Sequence, residues 1–189
     1  MGSFDWAIKT YAEGEAFVAF DLETTGLDPR LDQIVEIGAV KFDKQGLIAR
    51  FSTLVNPGIP MPAEAEKVNK ISDEMLRGKP AIADVLPDFL RFIEKSIIIA
   101  HKTAFDCGFI NEKLKNSAYS PFPSLPNPQI CTLVFSREVF PALSSYSLQN
   151  LAADLRIPAI DAHRAEDDAR LCMEVFLRCL NTVKPNPDI

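Results

Sequence analysis

The sequence has few residues that could build a structural zinc site. It contains only two histidines, His101 and His163, and its four cysteines include no CxxC pair. Cys172 and Cys179 lie seven residues apart on a predicted helix. This spacing places them on one helix face, where a cysteine acts as a small buried hydrophobic residue. We therefore expect a reduced chain without zinc, as in the cytoplasm.

Long apolar runs are also missing. No stretch approaches the ~20 residues that cross a bilayer, and the N-terminus lacks the basic and apolar regions of a secretory signal. With 189 residues and 47% hydrophobic composition, the chain has the size and apolar content of one compact domain. We expect a soluble, cytoplasmic domain over residues 15–183 that does not contact membranes. The N-terminal extension 1–14 and the C-terminal tail 184–189 are expected to be peripheral or poorly ordered.

Basic charge is scarce relative to acidic charge. The formal net charge is −6 at pH 7, so a broad basic surface that binds nucleic acid by releasing counterions is not expected. A polyanionic substrate would have to be held locally, and bound metal cations would offset the acidic charge.

The apolar pattern predicts alternating strands and helices. Strands are predicted at residues 17–22, 33–42, 47–55 and 96–100. Helices are predicted at 80–95, with a bend or break at Pro87, at 103–115, and near 131–139, 147–155 and 165–181. Four prolines within residues 119–128 predict a loop between the two halves of the chain.

Two acidic residues end the first predicted strand. Because side chains two apart in a strand share a face, Asp21 and Glu23 point the same way while Leu22 points to the opposite layer. At about 4 Å and an effective dielectric near 20, two like charges repel by about 4 kcal/mol, so this pair needs a proton or a cation. A solvated strand end is the alternative interpretation. The following Thr24-Thr25-Gly26 turn could face a ligand.

A third acidic residue lies inside the predicted helix 103–115. Asp106 shares the core-facing stripe with Phe109 and Ile110. Burying a carboxylate there is costly unless it has a partner, and the alternatives to a functional role are an ion pair or a charge that complements the helix start.

The last helix begins with three consecutive acidic residues. Helical spacing aligns Asp168 with the apolar positions 172, 175 and 179, whereas Asp167 aligns with a mostly polar seam. Asp168 is therefore predicted to point inward, and Glu166 and Asp167 to be first-turn charges. His163 precedes the helix on a loop, where it is either a solvated residue or a general base near Asp168.

Taken together, these acids could form a two-metal site. Mg²⁺ and Mn²⁺ prefer carboxylate oxygens, and such sites hold two ions about 3.5–4 Å apart. One ion would activate the attacking water and the other would stabilise the leaving 3′ oxygen, while His163 would take the proton from the water.

Three segments carry a family resemblance: FDLETTGL at 20–27, AHKTAFDCGFI at 100–110 and AHRAEDDAR at 162–170. They resemble the three exonuclease motifs of the DnaQ-like DEDDh family, and the similarity spans roughly residues 16–180. The resemblance implies a ribonuclease H-like α/β fold, in which helices flank a mixed sheet of three antiparallel strands followed by parallel ones. This agrees with the predicted order of elements. It also implies 3′-to-5′ exonuclease activity that releases nucleoside 5′-monophosphates.

The resemblance also assigns roles to individual residues. It implies four metal ligands for two Mg²⁺ or Mn²⁺ ions, Asp21, Glu23, Asp106 and Asp168, with His163 as general base. The turn that meets the terminal nucleotide in the family corresponds to Thr24, Thr25, Gly26 and Leu27, with Leu27 as a wedge against the end base.

Two positions depart from the family pattern. Lys102 stands where the family commonly has Asn after Ala-His, and Asn69 stands where relatives often carry His. Asn69 and His101 remain candidate substrate contacts. Lys102 adds a positive charge that could touch a phosphate, although a surface residue is the favoured interpretation. Glu36, which also matches the family, has no expected catalytic role.

The leading functional hypothesis is an exonuclease that acts on single-stranded or frayed DNA in proofreading or repair, similar to the epsilon-type exonucleases of bacterial DNA polymerase III. The resemblance implies a DNA polymerase as a partner, although the chain stops soon after its last helix and is expected to act alone. One alternative is an RNA-trimming exonuclease of the RNase T or oligoribonuclease type, since both classes use the same five residues. The other is a catalytically silent nucleic-acid-binding module, which should have lost at least one of them.

Overall fold

The structure is a computed structural model that describes residues 3–115, 122–160 and 164–183. The helices are α1 (Asp5–Glu13), α2 (Ala63–Asn69), α3 (Asp73–Leu76), α4 (Ile82–Ile93), α5 (Thr103–Leu114), α6 (Thr132–Val139), α7 (Leu148–Asp154) and α8 (Ala165–Thr182). The strands are β1 (Phe17–Thr24), β2 (Ile34–Asp43), β3 (Gly46–Leu54), β4 (Ile97–Ala100) and β5 (Gln129–Cys131).

The five strands form one mixed sheet in the order β3-β2-β1-β4-β5. β1, β2 and β3 pair in antiparallel fashion, and β4 and β5 continue the sheet parallel to β1. This order confirms the predicted fold class. Because β1 and β4 are parallel neighbours, their carboxyl ends meet at one edge of the sheet, where ligands commonly bind in open α/β sheets.

The side chains of β1 alternate between two buried layers. Phe17 and Ala19 pack with α8, together with residues of α6 and α7. Phe20 and Leu22 lie in the opposite layer with residues of α4 and α5. The alternation therefore directs the next odd-numbered side chains, at 21 and 23, towards the α8 side of the sheet.

The expectation of a peripheral or poorly ordered N-terminus is wrong for Asp5–Glu13, which forms α1 and packs on the core. Ala7 is fully buried, and the rings of Phe4 and Phe135 stack with their centroids 4.3 Å apart. The segment has few apolar residues and lies at the chain end, so its sequence did not indicate a packed helix.

Of the predicted bend or break at Pro87, the break is wrong, because α4 continues through this residue. Val85, Leu86 and Phe89 are buried on the core side of this helix. Their packing offsets the one backbone hydrogen bond that the proline ring removes.

All four cysteines are free, as expected, and Cys107, Cys172 and Cys179 are buried. No helix in residues 3–115, 122–160 or 164–183 is long and apolar enough to span a membrane. The predicted tail 184–189 lies outside the described residues.

Candidate active site

Three carboxylates from two elements meet at the carboxyl end of β1. Asp21 and Glu23 extend from this strand, and Asp168 lies in the first turn of α8, which packs across β1 and β2. Each of the three offers a carboxylate oxygen, and these oxygens lie within 4.8 Å of one another. The structure therefore brings together two predicted site residues from the start of the chain and one from its end.

The fourth predicted acid approaches from the neighbouring strand. Asp106 lies in the first turn of α5, directly after β4, and is buried. Burial raises the pKa of its carboxyl group, and backbone hydrogen bonds from Asp106 itself and from Leu22 offset part of that rise. After burial, the charge of Asp106 is the main factor that raises the pKa of Asp21. Asp106 thus belongs to the same electrostatic cluster as the other three acids.

The cluster holds its protons more tightly than isolated carboxylic acids do. Burial, followed by the charge of Asp106, raises the pKa of Asp21 well above its ordinary value. Burial and then Asp168 raise the pKa of Glu23 to about 8, and burial raises the pKa of Asp106 to about 7. Within the described part of the chain, no ion pair involves Asp21, Glu23 or Asp106.

This donor set fits hard divalent cations. It consists of carboxylate oxygens, which suit Mg²⁺ and Mn²⁺ better than softer metals. A bound cation would favour the charged carboxylates and so oppose the burial and the mutual repulsion that raise their pKa values.

Gln149 is a contributor that the sequence did not indicate. It lies in α7, and its Nε2 donates a hydrogen bond of 2.7 Å to Oδ1 of Asp168. The contact fixes the orientation of the Asp168 carboxylate. A single glutamine in a short helix gives no sequence signal for this role.

Glu36 also has a structural role that the sequence did not reveal. It lies opposite Glu23 on β2 and is 1% exposed. Its carboxylate accepts hydrogen bonds from the Arg164 guanidinium and from the backbone N–H of Ala165, the first residue of α8.

The turn after β1 is a closed loop that exposes two apolar side chains, Leu27 and Leu31. The backbone N–H of Thr25 donates to the carbonyl of Gln33, and the N–H of Gln33 donates to the Thr25 hydroxyl. A Cβ at Gly26 would overlap the carboxylate of Asp32, which would have to move and disturb its hydrogen bond from the N–H of Asp28. Leu27, the predicted wedge, is 83% exposed.

The two other candidate substrate contacts are buried. Asn69 is 2% exposed, and its amide group donates to the Thr24 carbonyl and accepts from the N–H of Ile71. These contacts favour a role in supporting the turn after β1.

His101 bridges three parts of the interior. Its Nε2 lies 2.8 Å from the carbonyl of Tyr146 and its Nδ1 lies 3.0 Å from the hydroxyl of Thr132. Since a carbonyl only accepts, Nε2 carries the proton and Nδ1 accepts from Thr132. Burial lowers the pKa of His101 to about 4, so the ring is neutral at pH 7.

The predictions for two neighbours of the site, Asp167 and Lys102, compare differently with the structure. Asp167, predicted as a simple first-turn charge, is buried, because Arg170 and the backbone N–H of Ile160 both donate to its carboxylate. Lys102 is exposed, as predicted. His163 lies outside the described residues, and its role as general base stays a prediction.

Comparison with known proteins places this geometry among exonucleases. The sequence profile of the family described as "Exonuclease" matches residues 18–176. The DNA polymerase III subunit epsilon of Treponema pallidum is 45% identical over 92% of this chain and 80% of that protein. A PolC-type DNA polymerase III of Caldanaerobacter subterraneus is 37% identical over 91% of this chain, which spans only 12% of that protein.

A solved structure shows the same arrangement of elements. Exonuclease X in complex with 5′ overhanging duplex DNA superimposes with a TM-score of 0.70 and 25% identity, covering 92% of this chain and 95% of that one.

Proposed function

This chain belongs to the exonuclease family, of the DnaQ-like DEDDh type that its motifs predict, and we propose that it removes nucleotides from the 3′ end of single-stranded or frayed DNA and releases nucleoside 5′-monophosphates. The observation that carries this proposal is the cluster of Asp21, Glu23 and Asp168, whose oxygens lie within 4.8 Å of one another, beside Asp106. The choice of DNA is supported by the names of the epsilon-type relative and of Exonuclease X bound to duplex DNA.

The four acids would hold two Mg²⁺ or Mn²⁺ ions. When bound, such ions polarise the scissile phosphate and lower the pKa of a water molecule. Gln149 keeps the Asp168 carboxylate in place through its hydrogen bond. His163 is proposed to accept the proton of the attacking water on an imidazole nitrogen, as suits a side chain with an ordinary pKa near 6.5.

The turn after β1 is proposed to receive the terminal nucleotide. Leu27 is exposed and would pack against the end base, while Thr24, Thr25 and Gly26 place their backbone beside it. Asn69 holds the carbonyl of Thr24 and would act on the substrate through the shape of this turn.

A polymerase partner and a cytoplasmic location complete the proposal. The epsilon relative is named as a subunit of DNA polymerase III, and the PolC-type relative contains the matching region within a much longer chain. An exonuclease of this kind would work where the polymerase extends DNA.

The proposal can be tested with three labelled substrates. We expect a ladder of products shortened from the 3′ end when the protein is incubated with 5′-labelled single-stranded DNA or with a duplex that has a mismatched 3′ end. The ladder should require Mg²⁺ or Mn²⁺ and disappear with EDTA. RNA of the same sequence should be degraded more slowly.

Two other outcomes of this assay would change the proposed function. Faster degradation of RNA would replace the proposed substrate, and no ladder on any substrate would reject an active nuclease.

The role of His163 has its own prediction. His163→Ala should bind Mn²⁺ as the unchanged protein does, while kcat falls by the ~10²–10⁴-fold expected of a lost general base. His101→Gln serves as a control for the loss of a histidine outside the proposed proton transfer. A His163→Ala protein with full kcat would remove this residue from the mechanism.

A further inference from the structure

We propose that the ion pair between Glu36 and Arg164 is a positioning device that fixes the start of α8, and with it Asp168, relative to the acids of β1. The residues act without touching the proposed substrate. The inference rests on the metal-dependent reaction proposed above and extends it to a residue on the neighbouring strand and to a residue one helix turn before Asp168.

The buried carboxylate of Glu36 is occupied entirely by the start of α8. Nη2 of Arg164 lies 2.6 Å from Oε1, and Nε of the same guanidinium lies 3.2 Å from Oε1 and 3.1 Å from Oε2. The N–H of Ala165 donates to Oε2 at 3.1 Å. The Glu36 carboxylate thus pairs with the Arg164 guanidinium and also caps a backbone N–H that has no partner within the helix.

The sheet is shaped to let the helix come this close. Gly38 lies two residues after Glu36 on the same face of β2, and any Cβ there would overlap the backbone of Ala165 and Glu166. The backbone of α8 therefore rests directly on β2 at its first turn. Asp168 follows in that turn, and Glu23 is the cross-strand neighbour of Glu36.

A second ion pair links the same turn to the sheet but lacks these features. Arg50 of β3 lies 2.9 Å from Glu166, with side chains 48% and 35% exposed. Exposed pairs contribute only ~0–1 kcal/mol and hold their partners loosely. The Glu36 carboxylate is 2% exposed in its pair and also bonds the helix backbone, so it constrains position far more.

A positioning role and a purely electrostatic role of Arg164 predict opposite effects of its replacement on cation binding. Its positive charge opposes cation binding at the nearby acids, and it lowers the pKa of Glu23. If Arg164 acted through charge alone, Arg164→Gln would bind a divalent cation more tightly. If it acts by positioning, the same change should weaken binding, because Asp168 no longer has a fixed place beside Asp21 and Glu23.

The experiment measures Mn²⁺ binding by electron paramagnetic resonance on the full chain without nucleic acid. We expect Arg164→Gln, Arg164→Lys and Glu36→Gln each to weaken Mn²⁺ binding by the ~10–100-fold seen when groups that orient metal ligands are lost. Lysine keeps the charge but cannot form the two-pronged contact. Arg50→Gln, which removes the exposed pair of the same turn, should change binding less than about twofold.

If Arg164→Gln does not fold, the Mn²⁺ affinity of Arg164→Lys tests the positioning role. Thermal unfolding establishes that each tested variant is folded. Wild-type affinity in Arg164→Lys, tighter binding in Arg164→Gln, or an equal loss in Arg50→Gln would overturn the positioning role. Because the readout needs no DNA, a protein that binds Mn²⁺ but degrades no DNA would reject the proposed function and leave this test intact.

Discussion

At the scale of single residues, the site is built from carboxylates that destabilise one another. Asp21 receives the charges of Asp106, Asp168 and Glu23 in addition to the effect of burial. Such an arrangement costs stability in the absence of a cation, and it is the reason that these acids suit metal binding.

Removing one of these charges should therefore lower activity without lowering thermal stability. Asp21→Asn should lower kcat by ~10²–10⁴-fold, because several kcal/mol of metal-dependent stabilisation are lost. In EDTA at pH 8, its Tm should equal or exceed that of the unchanged protein, at roughly 2–4 °C per kcal/mol of relieved repulsion. Thermal unfolding and the 3′-end assay test both parts, and a large drop in Tm would contradict the repulsion.

The same residues predict a pH dependence. The pKa of Glu23 rises from an ordinary 4.5 to about 8 in the folded protein. A raised pKa contributes stability that is present below pH 4.5 and is lost as pH rises through about 8. The increase in Tm that Mn²⁺ gives over EDTA should therefore grow from pH 6 to pH 8. An increase that is equal at both values, or larger at pH 6, would contradict this assignment.

Helical spacing alone was enough to predict that Asp168 points inward. It is buried on the same helix face as Cys172 and Val175. The burial of Asp167 could not be predicted in this way, because it depends on Arg170 and on a loop that brings the N–H of Ile160 to it. Local periodicity identifies a face but not the partners that arrive from elsewhere in the chain.

At the scale of elements, most strands and helices were predictable, including the short β4 and α7, whereas α1, α2, α3 and β5 were not. The predictions for β1, β2 and β3 agree with the observed strands, and those for α5 and α8 agree to within a few residues. The short elements α2, α3 and β5 were missed, because they lack both a continuous apolar run such as that of β4 and a clear apolar periodicity. Their place is fixed by tertiary contacts, such as the pairing of β5 with β4.

The contact between α8 and β2 gives a prediction at this scale. A glycine within a strand normally costs stability, so replacing it with alanine should help. Gly38→Ala should instead lower the free energy of unfolding by ~1–3 kcal/mol, because the added Cβ meets the backbone of α8. It should also lower activity, since Asp168 moves with the helix.

Gly108→Ala in α5 is the matched control. Its Cβ would lie 3.9 Å from Cγ of Pro29, an ordinary contact, and alanine favours a helix by ~1 kcal/mol. Denaturant unfolding should show this variant to be at least as stable as the original. Equal behaviour of the two variants would mean that α8 does not rest on Gly38.

At the scale of the whole molecule, α1 closes the layer that holds α8. Tyr11 of α1 contacts the rings of Phe17 and Phe176, and Ala7 is fully buried. Removing residues 1–13 should lower Tm by on the order of 10 °C, as expected when aromatic side chains leave a core. At 20 °C the shortened protein should retain its kcat, because α1 contributes no group to the carboxylate cluster.

Lys9→Ala, on the exposed face of α1, is the control for this deletion, because its pair with Glu13 is 73% and 58% exposed. It should leave Tm unchanged. An unchanged Tm in the shortened protein would show that α1 does not stabilise the domain.

The central claim is that water cleaves the 3′-terminal phosphodiester bond at the carboxylate cluster. Mass spectrometry of the products formed from single-stranded DNA and Mg²⁺ in ¹⁸O-labelled water tests it most directly. Successive nucleoside 5′-monophosphates should appear, each with one ¹⁸O on its phosphate, and none should form in EDTA. Nucleoside 3′-monophosphates, fragments from internal cuts, or the same products in EDTA would contradict the account.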